Sequence, residues 1–140
     1  MKSFFDILYM LVLSLWVGGM AVFSFIVTPA IFRSYGRDQA GEIVGRLFPG
    51  YFLYTLVLSG LALLLFFLCA ADPNTGRSRV SLVLLTTALL ANTYITFKLY
   101  PDAVKIKQQV VSFEREAPDS QARREFRRLH GISSVLNLIV

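Results

Sequence analysis

A chain of 140 residues that is 55% hydrophobic and 16% charged, with mean hydropathy +0.59, has too little polar surface to cover a soluble globule of its size. Fourteen basic against nine acidic residues give a net charge of +5, but the basic residues crowd into loops beside apolar stretches, which argues against nucleic acid as the partner. A single cysteine, Cys69, excludes an intrachain disulfide, and one His with three Met cannot readily close a structural metal site.

In chain order, the first stretch free of Asp, Glu, Lys and Arg runs from Ile7 to Phe32, 26 residues. About 20 apolar residues in a helix cross the roughly 30 Å hydrocarbon core of a bilayer, so this is a span. It is longer than a signal-peptide core and lacks a small-residue cleavage site, and is therefore expected to be a retained helix. In the loop that follows, Ala40, Ile43, Val44 and Leu47 recur at helical spacing, predicting a short amphipathic surface helix over 33–48 that Pro49 and Gly50 separate from the next span. The second uncharged run, Leu47 to Ala71, has 25 residues, and the third, Val80 to Phe97, has 18. Between them Asp72-Pro73-Asn74-Thr75-Gly76 is rich in turn residues, so spans two and three are expected to form a tight antiparallel hairpin.

Beyond span three, residues 103–116 repeat a weaker helical pattern that Pro118 should end, and Asp119 or Ser120 is placed to start another helix. A fourth uncharged run, apart from His130, begins at Leu129 and has covered 12 residues at Val140; this span is expected to be truncated. Counting basic residues assigns orientation. Eleven lie in the 33–48 and 98–129 loops against Lys2, Arg77 and Arg79 on the other side, which by the positive-inside rule puts both larger loops in the cytoplasm and the N-terminus outside. A secondary role for these cations is attraction of anionic lipid headgroups.

Polar groups inside a span are costly unless they face another helix or water, so they mark the interior. Ser14, Gly18, Gly19, Ser24, Ser59, Gly60 and Ala62 are small residues suited to close helix packing. Trp16 lies midway along span one, away from the interfaces where tryptophan usually anchors a helix, and is either a packed core residue or ligand-facing. Pro29 removes a backbone N–H and is expected to kink the helix. Asn92 and Thr96 are one turn apart in span three and Lys98 follows, while His130, Ser133, Ser134 and Asn137 share one face of span four. If those faces meet, Trp16, Asn92, Thr96, Lys98, His130, Ser133 and Asn137 line a polar interior; the alternative is an interhelical hydrogen-bond network with no ligand.

Several short motifs also carry a resemblance. Trp16-Val17-Gly18-Gly19-Met20, Pro29-Ala30-Ile31-Phe32, Leu47-Phe48-Pro49-Gly50-Tyr51, Tyr100-Pro101 and the run from Phe126 to Asn137 resemble the transmembrane protein 205-like family, also known as domain of unknown function 4149. The resemblance implies a four-helix membrane architecture and is distantly similar to copper-resistance D proteins and membrane-bound protoporphyrinogen oxidases. A haem held by two histidines would need a second His, and a copper path more His and Met than this chain has.

The expectation is an all-α integral membrane protein, an antiparallel four-helix bundle in one transmembrane domain over 1–140, with spans near 5–32, 49–71, 79–99 and 129–140. It is expected in a bacterial inner membrane, without enzymatic activity or cofactor. Its expected partners are the lipid bilayer, a second copy of itself in a homodimer, and a small polar solute or ion bound or passed through the interior. The alternatives are a haem- or copper-binding redox protein and a scaffold acting through the cytoplasmic loops.

Overall fold

The computed structural model describes residues 2–69, 76–108 and 121–139; the expected turn at 72–75 and the helix boundaries around Pro118 lie outside them. Among the described residues only Tyr35, Gly36 and Gln108 are not helical. The elements are α1 (Lys2–Val22), a π turn (Phe23–Val27), α2 (Thr28–Ser34), α3 (Arg37–Cys69), α4 (Gly76–Tyr94), a second π turn (Ile95–Leu99), α5 (Tyr100–Lys107) and α6 (Gln121–Ile139). Three continuous helical stretches, Phe4–Ser34, Arg37–Leu68 and Ser78–Lys107, are long and apolar enough to cross a membrane. Their outward surfaces carry large apolar side chains such as Phe4, Ile7, Met10, Phe25, Val57, Phe67 and Phe97, a composition that only lipid solvates well. The protein is an integral membrane protein. The fourth helix, α6, carries Arg123, Arg124, Arg127 and Arg128 before its apolar half begins.

Each π turn is followed, after one intervening residue, by a proline, Pro29 and Pro101. In a regular α-helix a proline ring collides with the carbonyl four residues earlier and cannot supply the N–H that carbonyl expects. Widening the turn by one residue relieves the collision, and the ladder resumes through i→i−5 bonds from Thr28 N–H to Phe23 O and from Tyr100 N–H to Ile95 O. The helix expected to kink at Pro29 is perturbed there by a local widening and continues as α2.

Pro49 is handled differently, and this corrects the expectation of a separate surface helix over 33–48. The connection between α2 and α3 is only Tyr35 and Gly36, and α3 runs uninterrupted from Arg37 through Pro49 and Gly50 to Cys69. Pro49 leaves the carbonyl of Gly45 without its helical donor. The Tyr100 hydroxyl supplies one from across the helix interface, donating to Gly45 O at 3.2 Å. Ala40 and Val44, the apolar stripe read as membrane-facing, are almost fully buried at 0% and 3% exposure. Half of that amphipathic stripe thus packs on protein, while Leu47 stays exposed, and the first third of α3 is continuous with the second span.

Packing joins α1 to α3, α3 to α4, and α5 to α6. Along α1 and α3 the pairing runs in opposite senses: Tyr9 meets Phe66, Gly19 meets Tyr54, and Phe23 stacks on Tyr51 at 4.1 Å. A side chain at Gly19 would strike the Tyr54 ring, whose hydroxyl donates to Leu15 O. Glycine is required there by that close approach. One core cluster gathers Val12, Trp16, Ala62, Leu65, Phe66, Leu85 and Ala88 from three helices. The other gathers Tyr51, Phe52, Ile95 and Leu99, extended by Phe23, Phe48 and Tyr100.

Candidate functional site

The aromatic cluster is the floor of a cavity. Phe48 and Phe52, one turn apart on α3, stack at 5.2 Å, and Tyr100 meets Phe52 edge-on at 5.4 Å. Above them α3 presents Gly41 and Gly45, also one turn apart, whose lack of side chains leaves a groove that the long Lys107 side chain can enter. Lys107 lies in that groove and donates from Nζ to Gly41 O at 2.7 Å. A Cβ on Gly45 would come within 3.2 Å of the same nitrogen.

Between α3, α5 and α6 this geometry leaves a cavity of about 340 Å³, within the range of small-ligand sites. Its walls are apolar, with Phe32, Val44, Leu99, Val104 and Phe126 beside the aromatic floor. Its charged lining is entirely basic: Arg37, Lys107, Arg123 and Arg127. Phe126 is held parallel to the His130 ring at 6.0 Å. The Glu42 and Asp38 carboxylates stand near enough to Lys107 to act on its charge. A smaller cavity of about 240 Å³, walled by Phe23, Thr28, Tyr51 and Ser134, shares Phe48, Phe52 and Ser133 with the first.

The residues anticipated as a polar interior are dispersed. Asn92 is buried, and its Nδ2 donates to Thr55 O at a long 3.4 Å. Thr55 and Ser59 turn their hydroxyls back onto their own helix, to Phe52 O and Leu56 O, each at 3.0 Å. Trp16 is buried in the other core cluster with Nε1 unpartnered, and the enclosed Thr96 Oγ1 also has no hydrogen-bond partner. Lys98 is on the outer surface, paired with Asp102 at 2.9 Å. His130 is exposed and its carbonyl accepts from Ser134 Oγ at 2.8 Å. Of the six whose side chains are described, Ser133 alone lines either of these two cavities; the side chain of Asn137 lies outside the described residues.

Sequence reasoning passed over the residues that do line the cavity. Gly41, Gly45, Phe48 and Phe52 follow one another at intervals of four, three and four on one face of α3. That spacing of two glycines and two aromatics was the available signal. Phe48 and Tyr100 were noticed only as parts of short motifs. Among the described residues no three or more His, Cys, Asp or Glu side chains converge on a point that could hold a metal.

No solved structure matches the chain. A relative from Aquifex aeolicus (strain VF5), described as an uncharacterized protein, is 36% identical over 78 residues, covering 56% of this chain and 54% of the relative. The chain thus spans about half the length of the curated relative it matches. The model of the DUF4149 family, a domain of unknown function, matches residues 11–112, which include both π turns, Gly41, Gly45, the aromatic floor and Lys107, and the chain belongs to that family.

Proposed function

We propose that this is a non-enzymatic, multi-pass protein of a bacterial inner membrane, an antiparallel four-helix bundle with its N-terminus outside, that binds a small amphipathic ligand between α3, α5 and α6. The observation that carries the reading is the combination of an apolar 340 Å³ cavity with a wholly basic charged lining at the end of the helices where the basic residues concentrate. Opposed pairing of α1 with α3, and of Asn92 and Tyr100 with Thr55 and Gly45 on α3, supports the antiparallel arrangement. The test is native mass spectrometry of the full chain released from detergent. Small molecules retained by the unmodified protein should be lost from Ala103→Trp, which fills the wall. An identical retained set in both proteins would sink the reading.

A second reading, passage of a small polar solute or ion through the interior near Asn92 and Thr96, draws support from the unpartnered Trp16 Nε1 and Thr96 Oγ1. It expects Asn92→Leu to abolish solute flux into proteoliposomes. Undiminished flux alongside reduced thermal stability would leave Asn92 as a packing residue.

A further inference from the structure

We infer that the cavity between α3, α5 and α6 seats an anionic phospholipid of the surrounding bilayer, one acyl chain against the aromatic floor and the phosphate head at the basic rim. The inference rests on the ligand-binding reading above and names the class of its ligand. Polarity in the cavity is graded along α3, from Arg37 at one end to Phe48 and Phe52 at the other. Fifteen residues separate Arg37 from Phe52, which is about 22 Å of helix. One leaflet has the same order, headgroup outside and hydrocarbon beneath, over a similar half-thickness of about 20–22 Å. A phospholipid already in the leaflet would thus enter the cavity without changing depth or orientation.

Charge selects among lipids. Arg37 from α3, Lys107 from α5 and the pair Arg123 and Arg127 from α6 bring four cations from three helices to the lining, against the two carboxylates, Asp38 and Glu42, that stand near Lys107 outside it. Arg123 and Arg127 are four residues apart and so share a helix face. Guanidinium groups match phosphate oxygens in paired hydrogen bonds, which a phosphodiester head accepts. A zwitterionic head brings its own ammonium to the same cations and gains less. Free inorganic phosphate would satisfy the rim but leave the aromatic floor unused.

The full chain in detergent is loaded with phosphatidylglycerol, with phosphatidylcholine of the same acyl chains, or with inorganic phosphate, and the retained ligand is counted by native mass spectrometry. The expected result is at least about tenfold stronger retention of phosphatidylglycerol than of phosphatidylcholine, with inorganic phosphate not retained. Arg123→Gln and Arg127→Gln should each weaken phosphatidylglycerol about fivefold, the effect of removing one cation near an anionic surface. Raised salt should weaken phosphatidylglycerol selectively in the unmodified chain, a readout independent of whether the variants fold. Ala103→Trp should weaken both lipids. Equal retention of the two lipids, both lost in Ala103→Trp, would overturn the anionic assignment and leave the cavity reading standing. Lipid retention untouched by Ala103→Trp would overturn both, and retention of inorganic phosphate alone would overturn the lipid.

Discussion

Tyr100 shows how one side chain lets a proline sit inside a long helix. Its hydroxyl supplies the donor that Pro49 withholds from Gly45 O, at 3.2 Å across the α3–α5 interface. Tyr100→Phe should therefore cost about 1 kcal/mol of stability, the usual net worth of one hydrogen bond. If the proline is the reason, Pro49→Ala restores the internal donor and the cost of Tyr100→Phe should fall to near zero in that background, as a double-mutant cycle of thermal unfolding would measure. An undiminished cost would show that the tyrosine acts through its ring packing alone. Gly19 is the second decisive residue, since any Cβ there meets the Tyr54 ring. Gly19→Leu should destabilise by about 1–3 kcal/mol through overpacking, read from the unfolding midpoint; Gly18→Leu, with open space around it, serves as the contrasting substitution and should be nearly silent.

At the scale of elements, two long side chains of α5, Tyr100 and Lys107, bridge to α3 along the edge of the cavity. Gly41 and Gly45 clear the groove, and Lys107 fills it and binds Gly41 O at 2.7 Å. Gly45→Leu should push the Lys107 ammonium out of that groove and lower stability by about 1–3 kcal/mol. Lys107→Met, which keeps the stem and loses the donor, should cost about 1 kcal/mol. Equal stability of Gly45→Leu and the unmodified protein in thermal unfolding would show that the groove tolerates a side chain. This interface was hard to read in the sequence for a physical reason. Ala40, Ile43, Val44 and Leu47 have the spacing of a helix with one apolar side, but spacing alone does not say whether lipid or protein covers that side. Pro49 and Gly50 looked like a boundary because the donor that rescues the helix comes from a residue 55 positions away in the chain. Pro29 was legible as a perturbation, whereas its resolution by widening one turn was visible only in the backbone bonds.

For the molecule as a whole, the proposed orientation rests on the distribution of basic residues. With Cys69 replaced by Ser, a cysteine at Ser78 should react with an impermeant maleimide on intact spheroplasts, and one at Gln121 only after the membrane is permeabilised. The reverse pattern would overturn the proposed topology.

Membrane residence and helical structure were determined by the sequence itself, because long runs without charge have few alternatives in water and a helix satisfies its own backbone in lipid. The small-residue reading was fulfilled at Gly19, where Tyr54 closes on α1. The position of the cavity was decided only by tertiary structure. Counting costly polar residues pointed to Asn92, Thr96, Lys98 and His130, yet Asn92 meets an α3 carbonyl and Lys98 turns outward to Asp102. A polar residue in a span announces that it needs a partner, and one hydrogen bond or a turn toward the interface can supply it without any ligand. A cavity is instead a property of what several helices leave unfilled between them. Here it lies where the Lys107 side chain reaches into a groove cleared by two glycines, two phenylalanines form the floor, and arginines from α6 complete the rim.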